Sequence, residues 1–127
     1  MQTILMYPMD QSWLTGYVNA AQEITAVKSQ LGGFTVGNKS GATFYLQVFD
    51  IAPTGDAAAK KTAVDALVTS GQYREYPVFA GSYCPAAWVG GLRIHEGIYM
   101  RCVTAAAGTT LISGADAKYD VSYMACW

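Results

Sequence analysis

The residues that could carry chemistry are few and far apart in this chain. Cysteines occur at positions 84, 102 and 126, and His95 is the single histidine. A cysteine hydrolase would pair Cys84 or Cys102 with His95 as the base, and it would also need an orienting carboxylate or amide and an oxyanion hole. The sequence contains no turn that would expose such a nucleophile. We therefore predict that the protein is not an enzyme.

The same cysteines indicate neither a metal site nor a disulfide framework. Their number is odd, their spacing is wide, and no Cys-x-x-Cys pair or histidine cluster accompanies them. The carboxylates are spread along the chain beside small residues, which is typical of turns and surfaces. Gly32-Gly33 and Gly90-Gly91 lack the strand-to-helix setting of a phosphate-binding loop. The sequence thus predicts no cofactor and no bound metal.

The charge content of the chain is low for a domain of its size. Asp, Glu, Lys and Arg make up 13% of the 127 residues, whereas about 25% is typical of soluble domains. The formal net charge of −1 offers no basic stripe for a phosphate backbone, so we expect no nucleic-acid partner. Neither a basic leader nor a run of about 18 apolar residues is present, which predicts a protein made in the cytosol with no membrane partner.

From residue 23 onward, turn residues divide the chain into short segments that alternate with period two. This pattern is typical of an all-β sandwich or barrel. The clearest strand is 42–50, and both of its faces are largely apolar. Because one face belongs to the core of a two-layer sandwich, the other must meet another layer or another chain. Further strands are predicted at 23–28, 34–36, 73–79, 87–89, 92–94, 98–104 and 119–127.

Two segments depart from this pattern. Residues 57–68 have helical propensity with Asp56 as a candidate N-cap, and although their apolar positions form no wide stripe, a short helix is favoured over a loop with one strand. Residues 1–22 carry large aromatics without alternation, which predicts an extended arm packed on its own domain or on a neighbour. We therefore predict a single small antiparallel β-sandwich of about seven strands at 23–127, preceded by an N-terminal arm at 1–22. A closed small barrel is the alternative.

The aromatic residues divide into candidate core and candidate contacts. The predicted core residues are Phe44, Leu46, Val48, Ile98, Met100, Val121 and Tyr123. A charge-poor, aromatic-rich surface is typical of protein interfaces, and an arginine on a strand could pair with a carboxylate of a neighbouring subunit. The candidate interface residues are therefore Tyr7, Trp13, Tyr17, Tyr45, Phe49, Tyr73, Tyr99, Arg93 and Arg101.

Four features recur along the stretch from residue 34 to 125. A strand ending in Phe49-Asp50 precedes an Ala- and Pro-rich turn, and a strand containing Pro77 precedes a Gly turn. Gly91-Leu92-Arg93 then leads into a strand that begins Gly97-Ile98 and is followed by small Thr and Ala residues. In this combination the stretch resembles the small β-sandwich virion proteins of tailed bacteriophages. The insertion around 57–70 and the N-terminal arm depart from the pattern of that group.

This resemblance implies a structural role in a virion that is assembled in the host cytoplasm. It implies a capsid decoration or cement protein that binds and stabilises the shell of major capsid protein. The alternative is a tail, neck or head-fibre component with a receptor- or carbohydrate-binding role, for which Trp88 and Tyr83 could stack on a sugar ring. Expected partners are the major capsid protein or other virion proteins, together with further copies of the chain in a homo-oligomer.

Overall fold

The structure, a computed structural model, describes residues 11–18, without their side chains, and residues 20–125. This part of the chain contains eight strands and one helix, each named here in chain order. They are β1 (Gln11–Val18), β2 (Ala21–Thr25), β3 (Ser29–Asn38), β4 (Phe44–Asp50), α1 (Ala57–Thr69), β5 (Arg74–Val78), β6 (Tyr83–Ile94), β7 (Ile98–Val103) and β8 (Ala117–Ala125).

The strands form two antiparallel sheets that pack face to face. The first sheet has the order β1-β8-β3-β6 and the second has the order β2-β7-β4-β5. Alternate residues of each strand meet in a core between the sheets, as period-two patterning requires. The predicted all-β sandwich is thus confirmed. Of the predicted core residues, Phe44, Leu46, Val48, Ile98, Met100 and Val121 are buried in this core, and Tyr123 packs half-buried against it.

Helix α1 covers the outer face of the second sheet. Its N-cap is Asp56, whose carboxylate accepts a hydrogen bond from the backbone N–H of Ala59 at 2.8 Å. Val64 is fully buried, and it packs with Phe49 and Tyr99 of the sheet in a second, smaller core. The predicted helix is confirmed, and it supplies the further layer that the outer face of β4 needs. No helix in the described part of the chain is long and apolar enough to cross a membrane.

The sandwich begins earlier in the chain than predicted. Strand β1 pairs with β8 and β2 pairs with β7, so residues 11–18 and 21–22 of the predicted arm belong to edge strands of the two sheets. The register of β1 shifts between Leu14 and Tyr17, and such a shift breaks the period-two pattern by which a strand is recognised in a sequence. Residues 1–10 of the predicted arm lie outside the described residues.

Strand β6 joins two segments that the sequence predicts as separate short strands. Four of its residues, Trp88 to Gly91, lie opposite the single residue Gly32 of β3, so this part of the strand bulges out of the sheet. Gly90 and Gly91 have φ angles of 79° and 85°, a conformation that glycine adopts without strain. The bulge leaves Val89 in open solvent.

The turn between β6 and β7 is held by a carboxylate at the end of β4. Asp50 accepts hydrogen bonds from the backbone N–H groups of His95 at 2.9 Å, Glu96 at 2.8 Å and Gly97 at 3.4 Å. A Cβ on Gly97 would lie 2.6 Å from the carbonyl oxygen of Thr25, so no larger residue fits there. One side chain of the second sheet therefore fixes the connection between the two sheets.

We expect the Asp50→Ala substitution to lower the free energy of unfolding by about 2 kcal/mol, because three backbone N–H groups lose a charged acceptor. Asp50→Asn keeps one acceptor oxygen and should lose about 1 kcal/mol. Equilibrium unfolding in urea, followed by tryptophan fluorescence, measures both variants. Unchanged stability of the alanine variant would show that the turn does not depend on this carboxylate.

Candidate functional site

A buried arginine lies at the centre of the layer between the second sheet and α1. Arg101 of β7 is 1% exposed, and its Cζ lies 5.3 Å from the centroid of the Phe49 ring. Its Nε donates to Oε1 of Gln47 at 2.8 Å, and its Nη1 donates to Oδ1 of Asp65 at 2.7 Å. Its Nη2 is shielded from solvent and has no hydrogen-bond partner among the described residues. The guanidinium is therefore paired on two nitrogens and unsatisfied on the third.

The pairing of β4 with β7 brings these side chains together. Arg101 is the direct cross-strand neighbour of Gln47, and Tyr99 is the neighbour of Phe49. Cross-strand neighbours share one face of a sheet, so all four point toward α1. The Phe49 ring stacks on Tyr73 at 5.9 Å between centroids and meets the Tyr99 ring edge-on at 6.3 Å. The site thus combines an aromatic cluster with a buried charge.

The polar network continues from Gln47 to the loop that follows β7. Nε2 of Gln47 donates to Oε2 of Glu75 and to the carbonyl oxygen of Gly108, both at 3.0 Å. The same Glu75 oxygen accepts from the backbone N–H of Ala107 at 2.8 Å. Ala107 has a φ of 56°, an unfavourable conformation for a residue with a Cβ, and the bond to Glu75 helps to hold it.

The charge of Asp65 is set by two opposing effects. Burial raises the pKa of its carboxyl group, but hydrogen bonds from Lys61 and Arg101 outweigh burial and hold the pKa below the ordinary value of 3.8. The Lys61 ammonium lies 2.9 Å from one carboxylate oxygen, and Arg101 contacts the other. At neutral pH the buried guanidinium therefore faces an ionised carboxylate.

Four of the predicted interface residues come together in this layer. Phe49, Tyr99 and Arg101 are buried, and Tyr73 packs half-buried beside Phe49. The predicted contacts of Phe49, Tyr99 and Arg101 to a neighbouring chain are corrected, because these three side chains are buried beneath α1 of the same chain. A contact through Tyr73 stays a prediction. The expectation of a homo-oligomer consequently draws no support from this face of the sheet.

The other predicted interface residues lie elsewhere. Tyr45 is half-buried on the same sheet face, and Arg93 is exposed on β6. Trp13 and Tyr17 lie on β1, but their side chains are outside what the structure describes, and so is Tyr7 altogether. Contacts through these five residues stay predictions.

The two described cysteines of the hypothetical hydrolase both have a raised thiol pKa. Cys102 is fully buried between the sheets, where burial raises its pKa to about 12 and its Sγ lies 3.3 Å from the Tyr119 hydroxyl. Cys84 is half-buried against the same core, and burial raises its pKa as well. A thiol with a raised pKa carries little thiolate at neutral pH and is a poor nucleophile. Cys126 lies outside the described residues.

Of the two rings predicted as candidates for stacking on a sugar, Trp88 is half-buried and Tyr83 is exposed. Trp88 packs half-buried against the core, with its ring 6.0 Å from that of Phe34 and 5.6 Å from the guanidinium carbon of Arg74. Tyr83 is 57% exposed, and its ring lies over Gly37, where a Cβ would come within 2.7 Å of it. Stacking on a sugar would therefore fall to Tyr83 and not to Trp88.

Sequence reasoning missed Gln47, Asp65 and Glu75 as members of the site. A usable signal was present, because Gln47 and Arg101 are single polar interruptions of the two most apolar strands. Isolated polar residues within such strands indicate a buried polar pair. No comparable local signal marks Asp65, which is 36 residues from Arg101 in the chain.

Comparison with known proteins finds no protein-family model, no curated protein and no solved structure that matches this chain. The described part of the chain is a two-sheet β-sandwich with one helix over the outer face of the second sheet.

Proposed function

We propose that the protein is a non-enzymatic structural component of a bacteriophage particle, a decoration or cement protein that binds the shell of major capsid protein. The resemblance of residues 34–125 to small β-sandwich virion proteins supports this proposal, as does the sandwich fold. The observation that carries it is an apolar corner, defined as Phe79 and Tyr83 at the two ends of the turn between β5 and β6. This turn leads from the second sheet to the first.

The corner displays two large rings on a fixed turn. Phe79 is 63% exposed and Tyr83 is 57% exposed. The turn is closed by a hydrogen bond from Ser82 N to Phe79 O at 3.0 Å, and it is tied to β3 by Asn38 N donating to Ser82 O at 2.9 Å. Single exposed apolar residues are ordinary, but two rings on one ordered turn favour a protein contact.

The strands that flank the corner favour contact through side chains over strand pairing. β5 and β6 are edge strands of their sheets, and each contains a proline, Pro77 and Pro85. Proline lacks a backbone N–H, and its presence on an edge opposes the addition of a further strand. A partner at this corner is therefore expected to bind the rings of Phe79 and Tyr83.

A sedimentation assay tests the proposal. Shells are assembled from the major capsid protein encoded in the same genome, mixed with the purified chain and pelleted, and the bound copies are counted. We expect saturable binding, and we expect Phe79→Ser combined with Tyr83→Ser to weaken it about tenfold or more. Val27→Ser is the matched control, because Val27 is also apolar and 49% exposed but lies between β2 and β3.

Three outcomes would overturn the proposal: no saturable binding to shells, an equal loss with Val27→Ser, or binding to isolated tails in place of shells. The last of these would support the tail or fibre alternative.

The contribution of the N-terminal segment is measured in the same assay by removing residues 1–10, a truncation that leaves β1 in place. We expect lower occupancy, and unchanged occupancy would exclude a role for that segment in shell binding.

A further inference from the structure

A groove of about 510 Å³ lies between α1 and the β2–β7 side of the second sheet. This volume is within the range of sites that bind small molecules or the end of a peptide. The groove lining combines the cations Lys60, Lys61 and Arg101 and the ring of Tyr99 with the small or apolar residues Ala21 and Leu111. The groove therefore has both a charged and an apolar part.

The charges around the groove do not balance. Glu23 is paired with Lys60 at 2.6 Å, while Asp65 is shared between Lys61 and Arg101. Within these ion pairs three cations share two carboxylates, an excess of one positive charge. An anionic ligand would be favoured at Lys61 and Arg101, which share one carboxylate.

A further observation points to the same kind of ligand. Nη2 of Arg101 is a buried donor without a partner among the described residues, and leaving a buried polar group unsatisfied is costly. The first turn of α1 lines the groove at Ala57 and Ala58. The Asp56 carboxylate already caps this end of the helix, accepting from the Ala59 N–H at 2.8 Å, so the unpartnered donor that remains at the groove belongs to Arg101.

We infer that this groove binds a carboxylate that carries a short apolar chain. A monoanion balances the single excess charge, and its oxygens supply the acceptor that Nη2 lacks. Nη2 is shielded from solvent, so a direct hydrogen bond from Nη2 to the ligand requires the guanidinium to move toward the groove. The apolar chain contacts Ala21 and Leu111. A small free acid and the C-terminus of a peptide both offer this chemistry, and the inference does not depend on capsid binding.

Titration of the intact protein with hexanoate, followed by ¹H–¹⁵N NMR, tests the inference. We expect saturable shifts of the Ala57 and Ala58 amides and of the Arg101 side-chain Nε–H, with a Kd of about 1 mM, and no such shifts with the neutral hexanamide. An N-acetylated Ala-Ala-Leu peptide is compared with its C-terminal amide. A response to the free peptide tighter than that to hexanoate assigns the site to chain termini, and the reverse assigns it to small acids.

Ala58→Glu places a negative charge in the groove lining at an exposed position and should weaken hexanoate binding about tenfold. Ala58→Gln adds the same bulk without charge and should retain binding. Ala66→Glu, at an exposed position of α1 outside the lining, should retain it as well. The inference is overturned by equal affinity of Ala58→Glu and wild type, by an equal response to hexanamide, or by no saturable shift up to about 20 mM.

Discussion

We expect the Phe49→Ala substitution to lower the free energy of unfolding by about 4 kcal/mol, as is usual when a large aromatic side chain is removed from a core. Phe49 is 1% exposed and has aromatic neighbours on two sides, Tyr73 and Tyr99. Its loss would leave a cavity beneath Val64 and would also remove the ring beside the Arg101 guanidinium. Urea denaturation of the purified variant measures the effect.

Phe79→Ala is the matched control for this experiment, because it removes the same side chain from a position that is 63% exposed. A surface substitution of this kind should change the free energy of unfolding by less than about 0.5 kcal/mol. The comparison also tests whether α1 is a firmly packed layer. If Phe49→Ala costs no more than Phe79→Ala, α1 does not bury this face, and the outer face of β4 is open to a neighbouring chain after all.

The two inner strands of the second sheet could be predicted closely from the sequence. The predicted strand at 42–50 corresponds to β4, and the predicted strand at 98–104 corresponds to β7. Both lie inside the second sheet with apolar contacts on each side, so both are short, nearly continuous runs of apolar residues bounded by turns. Strands β1 and β6 depart from period two at a register shift and at a bulge. A strand that changes face midway has no single period to detect.

The position of α1 over the sheet could not be predicted for a different reason. Val64 is its one fully buried residue, so the helix has no wide apolar stripe that would identify a packed face. Its attachment relies also on ion pairs with distant residues, from Lys60 to Glu23 and from Asp65 to Arg101. Pairs of this kind connect residues that are dozens of positions apart, and nothing local in the sequence specifies them.

The ion pair between Asp65 and Arg101 is expected to have the second large effect on stability. Asp65→Ala should lower the free energy of unfolding by about 3 kcal/mol, because it leaves the guanidinium buried without its carboxylate. The charge cannot be hydrated in place, since the Arg101 side chain is 1% exposed. Lys61→Ala is the control, because it removes the more exposed partner of the same carboxylate and should cost about 0.5 kcal/mol.

A double-mutant cycle separates the ion pair from the packing around it. Arg101→Met keeps an unbranched side chain of similar length, and the remaining Asp65 is 30% exposed and still paired with Lys61, so we expect roughly half the cost of Asp65→Ala. The double variant should lose less free energy of unfolding than the two single variants together, by about 1 kcal/mol or more. Full additivity in urea unfolding would contradict a direct energetic link between the two residues.

The pH dependence of the same variants identifies the charge as the source of the effect. The pKa of Asp65 is held below 3.8 in the folded protein by Lys61 and Arg101 against the raising effect of burial. A carboxyl group with a lowered folded pKa stabilises the protein above its unfolded pKa, and this contribution is lost as the pH falls below about 4 and through the folded pKa. The stability gap between wild type and Asp65→Ala should therefore be full at pH 7 and shrink below about pH 4. A gap that stays constant across this range would mean that Asp65 contributes through packing and not through its charge, and Arg101 would then need another counter-ion.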